Sequence, residues 1–157
     1  MASELPENPV RVSTLVKADL AATFKRFTEE TDAWWKRGPR YRIAGTNHGS
    51  IHLEPRLNGR LFESYDTDGV TRVVRMGRVR VWEPSTRIVL EWRAPRCAPS
   101  EVSEVEVTFT PDANADVTRV TLTHRGWNAL PADHPARREL DPIRAFWIEL
   151  LASLAAL

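Results

Sequence analysis

Histidine is the residue type here best suited to chemistry near neutral pH, as a proton carrier or a metal ligand. The chain has four. His48 and His52 carry the i, i+4 spacing of a helical metal pair, yet Ile51 and Leu53 alternate with polar neighbours as in a strand. Four strand residues span ~13 Å, too far for two ligands of one ion. Both histidines share parity with Ser50 and Glu54, so both face water. His134, in Ala132-Asp133-His134-Pro135, reads as a helix-start residue. His124 differs, because it shares parity with Val120 and Leu122 and so points inward near the end of a strand. A buried neutral imidazole there needs hydrogen-bond partners, and it is placed to touch a ligand or move a proton. The plainer reading is a rim histidine satisfied by backbone or water.

Other candidates turn on which way a strand faces. If parity runs unbroken from Val79 and Val81 through Gly77, Arg75 points inward and can anchor an anionic group. If Gly77 marks a bulge, parity switches and Val74 and Met76 point inward instead. Glu63 and Tyr65 share one face of their strand and Phe62 and Ser64 the other, which leaves that orientation open. Trp92 ends an inward set with Ile88 and Leu90, as a core residue or as a surface for a ligand to stack on. Cys97 is the single cysteine, so an intrachain disulfide and a cysteine-built zinc site are excluded. Its setting, Ala94-Pro95-Arg96-Cys97-Ala98-Pro99, reads as a loop bearing an inert thiol. No paired carboxylates, nucleophile elbow, phosphate loop or metal motif is visible. The expectation is no metal and no cofactor.

These residues sit on a legible frame. Val10, Val12, Thr14 and Val16 alternate as a strand after a short tail over residues 1–8. Asp19 reads as a helix N-cap, followed by Leu20, Phe24 and Phe27 at helical spacing. Thr31 or Asp32 is placed to cap a second short helix carrying Trp34 and Trp35, and Gly38-Pro39 closes it. From about His48 to Arg125 the chain alternates in six further strands, with turns at Asn58-Gly59, Asp68-Gly69 and Glu83-Pro84-Ser85. Asp141 as cap and Pro142 in the first turn then open a helix. Ile143, Phe146, Trp147, Leu150, Leu151 and Leu154 form its apolar face. A meandering sheet with one long helix must bury its apolar face under that helix.

Composition narrows the partners. Lys and Arg total 22 against 21 acidic residues, a net charge of +1, which gives no basic excess for nucleic acid. No stretch approaches the ~20 apolar residues of a membrane span, and the N-terminus has no signal-peptide pattern. A cytoplasmic location is the expectation.

Several segments then resemble one known family. Gly77-Arg78-Val79-Arg80-Val81-Trp82-Glu83-Pro84 runs to Arg87-Ile88-Val89-Leu90-Glu91-Trp92, and Ser103 to Phe109 and Thr118 to Trp127 look like the last two strands. Asn58-Gly59-Arg60-Leu61-Phe62 is similar to a paired-glycine turn with Asn58 in the first position. Phe27-Thr28-Glu29-Glu30 before Trp34-Trp35 fits as well, as does Trp147, although Phe146 stands where a glycine is usual. From Val10 onward the chain resembles the activator of Hsp90 ATPase homologue-like family, within the START/Bet v-type (SRPBCC) superfamily. The resemblance implies an α+β helix-grip fold over residues 9–157. In that fold a seven-stranded antiparallel sheet wraps a long C-terminal helix, with two short helices after the first strand and often an apolar cavity.

The function expected is binding of a small, largely hydrophobic molecule between sheet and helix. Candidate lining residues are Trp92, His124, Phe109, Leu122, Arg75, Trp34, Trp35, Phe146 and Trp147. Two alternatives belong to other classes. A polyketide cyclase or aromatase-like enzyme requires His124 and Arg75, Glu63 or Tyr65 to converge in the pocket. A co-chaperone-like interaction module requires an exposed apolar patch. A homodimer is compatible with the sequence, and chaperone contact has no support in it.

Overall fold

Period-two alternation over most of the chain commits it to strands buried on one face, and the meander order commits consecutive strands to pairing. The computed structural model describes residues 8–45, 48–93, 101–134, 137 and 139–157. Its elements are β1 (Val10–Val16), α1 (Leu20–Glu29), α2 (Thr31–Trp34), β2 (Gly49–Leu53), β3 (Arg60–Thr67), β4 (Val70–Glu83), β5 (Arg87–Trp92), β6 (Ser103–Pro111), β7 (Thr118–Arg125) and α3 (Asp141–Ala155), with a 3-10 turn at Trp127–Ala129. The seven strands form one antiparallel sheet in the order β1-β7-β6-β5-β4-β3-β2. The long return from β1 to β2 carries α1 and α2 across the open end of the curled sheet. The chain has the α+β helix-grip arrangement.

Local chemistry explains the boundaries. Asp19 caps α1, accepting from the Ala22 N–H at 2.7 Å. Asp68 and Gly69 have φ of 51° and 75°, the left-handed pair that a two-residue hairpin turn needs between β3 and β4. Asn58, with φ 64°, turns the chain into β3, and the turn is tied to β4 by Asn58 N–H to Val79 O (2.9 Å) and Val79 N–H to Gly59 O (2.8 Å). Two expected caps are different in the structure. Thr31 and Asp32 lie inside α2, and the Thr31 hydroxyl bonds back to Phe27 O at 2.8 Å. Asp141 is the first helical residue of α3 and makes no capping bond, because Leu140 takes the cap position with αR backbone. A carboxylate in the first turn acts instead on the helix dipole.

The register of β3 on β4 settles the open parity. Leu61 faces Gly77 and Phe62 faces Arg75, so Met76 is an extra residue bulged out of the pairing. Met76 is buried at 3% exposure, and Arg75 lies exposed on the outer face. Gly77 is needed where β4 crowds β5, since a Cβ there would stand 2.6 Å from Glu91 O. A second irregularity, between Val79 and Val81, skips Arg80.

The apolar face of α3 holds Trp147, Leu150, Leu151 and Leu154, all buried, with Ile143 and Phe146 partly covered at its N-terminal end. The helix lies chiefly along β1. The space above the middle of the sheet is therefore filled by side chains. Phe24 and Phe27 meet Phe109 edge-on at 5.2 and 5.7 Å beneath α1. Edge strand β2 is blocked by α2, because the Asp32 carboxylate accepts the outward Ile51 N–H at 2.9 Å. Leu154→Ala should cost ~2–5 kcal/mol in urea unfolding, as for a fully buried leucine. Ile148→Ala, on the exposed side of α3, should stay within ~0.5 kcal/mol. Equal losses would contradict this orientation of the helix.

Candidate functional site

Where α3 diverges from the sheet, the chain places a row of indoles. Trp34 and Trp35 centroids lie 5.5 Å apart, Trp35 and Trp92 6.2 Å, and Trp92 and Trp147 5.1 Å. With Phe27 they wall a slot whose other side is Leu53, Leu61, Leu90, Val105 and Leu122. Thr31 is the polar member of the wall, and its hydroxyl is already spent on Phe27 O. The free space is about 10 Å³, room for about one water. The ligand-sized cavity expected from the sequence is occupied by aromatic rings.

Of the expected lining residues, Trp34, Trp35, Trp92, Trp147 and Leu122 stand on this wall. Phe109 is packed under α1. Phe146 closes the outer end, stacked on Tyr41 at 5.7 Å and edge-on to Trp35 at 6.2 Å. Arg75 is a correction: the Met76 bulge turns it to the outer face, away from the slot. His48 and His52 are exposed, and His52 stacks on Phe62 at 5.2 Å on the outer face. His134 lies 3.5 Å from Glu101 in the connection before α3. Cys97 lies outside the described residues, and among those described no three His, Cys, Asp or Glu side chains are grouped to hold a metal.

His124 sits behind the slot, 4% exposed, among Trp92, Trp127 and Trp147. The Trp147 indole N–H points to its Nδ1 at 3.1 Å, and an indole can only donate. Nδ1 is therefore the bare nitrogen, and the proton sits on Nε2, which donates to Ser103 Oγ at 2.7 Å. Burial pushes the imidazole pKa down to about 3. A second proton would have to displace the Trp147 bond. With both nitrogens committed, His124 is a packing residue at neutral pH.

The mouth of the slot is a loop held by two buried charges that parity did not identify. Glu63, fully buried, accepts the consecutive N–H groups of Ile43 and Ala44 at 2.8 Å each. Arg42 points back under the loop and binds the end of α2. It donates to Asp32 Oδ1 (2.6 Å), Asp32 O (3.0 Å), Lys36 O (3.1 Å) and Trp35 O. Burial alone would raise the Asp32 carboxyl, but the Ile51 N–H, Arg42 and Arg37 hold it below the usual carboxylate range. Nothing in the non-periodic stretch Tyr41-Arg42-Ile43 marks Arg42 as buried. Glu63 was one of two open orientations. None of His124, Glu63, Tyr65 and Arg75 stands on the slot wall, and the acid–base set of the cyclase reading is not assembled there.

The sign of the pH dependence follows from His124. The unfolded imidazole takes a proton near pH 6.5 and the folded one only near 3, so stability falls as pH drops through that interval, by ~1.4 kcal/mol per unit. The depressed carboxylates Asp32, Glu54 and Glu106 add losses of the same sign only at lower pH. Between pH 6.5 and 5 the wild type should therefore lose about 2 kcal/mol in urea unfolding, and His124→Gln should be flat. Matching slopes would rule out a buried neutral imidazole.

A family model described as Activator of Hsp90 ATPase homolog 1-like protein matches residues 17–157. No curated protein matches the sequence. Among solved structures, protein MLL2253 from Mesorhizobium loti aligns with TM-score 0.63 at 15% identity, covering 95% of each chain. The Aha1 dimer from Colwellia psychrerythraea gives TM-score 0.61 at 16% identity, over 94% of this chain and 93% of that one. DynU16, from the dynemicin biosynthetic locus, gives 0.62 at 20% identity, over 96% of this chain and 47% of that one. At these identities the likeness is one of fold. With the seven-stranded sheet, the gripping helix and a family match from Lys17 to the last residue, this chain belongs to the activator of Hsp90 ATPase homologue 1-like family.

Proposed function

We propose that the protein binds a small, largely apolar molecule in the slot between the sheet and α3, with Trp35 and Phe146 giving way to admit it. The observation that carries this reading is the wall itself, made of indoles and aliphatic side chains with its one hydroxyl already bonded. Sites for small molecules run to roughly 300–1,000 Å³ and are lined mainly by such groups. At about 10 Å³ the slot is closed, so the occupant takes the place of rings rather than of water.

Trp35 is the ring best placed to leave. It follows the last residue of α2, and its indole N–H is held by one carbonyl, Tyr41 O, at 3.0 Å. Phe146 is only partly buried and leans on the same loop through Tyr41. Lys36 lies 5.4 Å from the Tyr41 ring and meets no carboxylate among the described residues, whereas Arg40 is already paired with Glu149 at 3.1 Å, so Lys36 is the cation at the mouth that suits an anionic end on an otherwise apolar molecule. Among the described residues no helix is long and apolar enough to cross a membrane.

Intrinsic fluorescence tests the reading, since the indoles line the slot. Fatty acyl and fused-ring aromatic probes should give saturable quenching of the wild type at micromolar concentrations. Trp35→Ala should bind the same probes about tenfold tighter, because the bound form no longer displaces a packed ring. A wild type without saturable signal across the panel would sink the proposal, whatever the variant does. Glu63→Gln places an amide donor against one of two loop N–H groups. It should cost ~1–3 kcal/mol and speed amide exchange at Ile43 and Ala44. Unchanged exchange at those amides would remove the loop from the mechanism.

A further inference from the structure

The outer face of the sheet is electrostatically divided. Over β5–β7 each of three outward arginines meets carboxylates. Arg87 bonds Glu106 at 2.5 Å and Glu83 at 3.1 Å, Arg125 bonds Glu104 at 2.6 Å and Glu106 at 3.0 Å, and Arg119 bonds Asp112 at 3.1 Å. On β3 and β4, Arg60 and Arg80 are paired with Glu54 and Glu91, but Arg75 and Arg78 of β4 are not. Arg75 faces Phe62 across the pairing and Arg78 faces Arg60. Neither Arg75 nor Arg78 reaches a carboxylate among the described residues. The nearby acids are engaged elsewhere, Glu54 by Arg60 and Arg56 and Glu91 by Arg80 at 2.5 Å. Arg60, opposite Arg78 on β3, is itself paired with Glu54 at 2.9 Å, and Glu91, opposite Arg78 on β5, bonds Arg80, so the carboxylates flanking Arg78 are already in use.

At the centre of this surface is Phe62, only partly buried. Arg60 lies over its ring at 4.8 Å and His52 stacks on it at 5.2 Å. We infer that the outer face of β2–β4 is a docking surface for an acidic segment of a partner protein. Carboxylates of the segment accept from Arg75 and Arg78. Guanidinium and carboxylate match as paired donors and acceptors, and this is the charge complementarity the face lacks within its own chain. Single-stranded nucleic acid fits less well. It needs a free aromatic face for base stacking, and the Phe62 ring is already engaged by Arg60 and His52. The net charge of +1 also gives no long-range field to attract a polyanion. The surface and the slot lie on opposite faces of the sheet, so this inference stands apart from the ligand reading.

The test is fluorescence anisotropy at low salt with a labelled 12-residue peptide of alternating Glu and Leu. The variant is Arg75→Glu/Arg78→Glu. The control, Lys17→Glu/Lys25→Glu, changes net charge equally at exposed positions on other elements. The wild type should bind saturably, the arginine variant about tenfold more weakly, and the lysine control within about twofold. Arg75→Gln/Arg78→Gln, which introduces no repulsion, should weaken binding by about threefold and covers the case of poor folding in the first variant. Equal losses in the arginine and lysine variants, or no saturable binding by the wild type, overturn the inference. Tighter binding of an oligonucleotide of matched charge overturns the choice of partner.

Discussion

A single helix cannot cover the concave side of a seven-stranded sheet, and most of the interior follows from that shortfall. Here α3 lies along β1, and the remaining gap above β3–β5 is closed by large rings. Rings that carry an N–H must be given an acceptor when buried. Trp34 uses Phe27 O, Trp35 uses Tyr41 O, Trp127 uses Asn8 O, and Trp147 uses the bare nitrogen of His124. His124 is thus drawn into the core by an indole that needs a partner, and the demand fixes its tautomer. The slot and the loop that closes it both descend from the same geometric deficit.

How much of this was legible depended on whether a residue's role was carried by a period. Alternation placed the seven strands, and the 3.6-residue repeat placed the buried side of α3, because burial acts on every residue of those elements alike. Arg75 and Met76 were left between two readings, because Gly77 signals a possible bulge but a glycine alone does not say whether parity is reset there. Arg42 and Glu63 escaped for another reason: their burial is set by main-chain groups of a non-periodic loop. A carbonyl or an amide N–H has no sequence letter, so the bonds from Arg42 to Trp35 O and from Glu63 to Ala44 N–H leave no pattern to read. The free space was illegible as well, since the distance between helix and sheet is decided by packing across the whole interior.

The two faces of the sheet divide the possible functions cleanly. Inside, polar groups are spent on internal bonds, which favours an apolar guest and leaves little for acid–base chemistry. Outside, the face is a ladder of Arg–Glu pairs over β5–β7 beside two arginines of β4, Arg75 and Arg78, that reach no carboxylate among the described residues. Because β4 contributes to both, its bulge at Met76 connects them. The bulge sends a thioether into the core and a guanidinium out to water in consecutive positions.

The chain of indoles from Trp34 through Trp35 and Trp92 to Trp147, each centroid within 5.1–6.2 Å of the next, also has an optical consequence. Chromophores this close in a rigid chiral arrangement couple their transitions. The near-ultraviolet circular dichroism then belongs to the array, and no single ring owns a band. Displacing one indole by a few ångströms would redistribute intensity across the whole spectrum while the far-ultraviolet signal of sheet and helix stayed constant. The protein therefore carries a built-in spectroscopic separation between loss of ring order and loss of backbone structure.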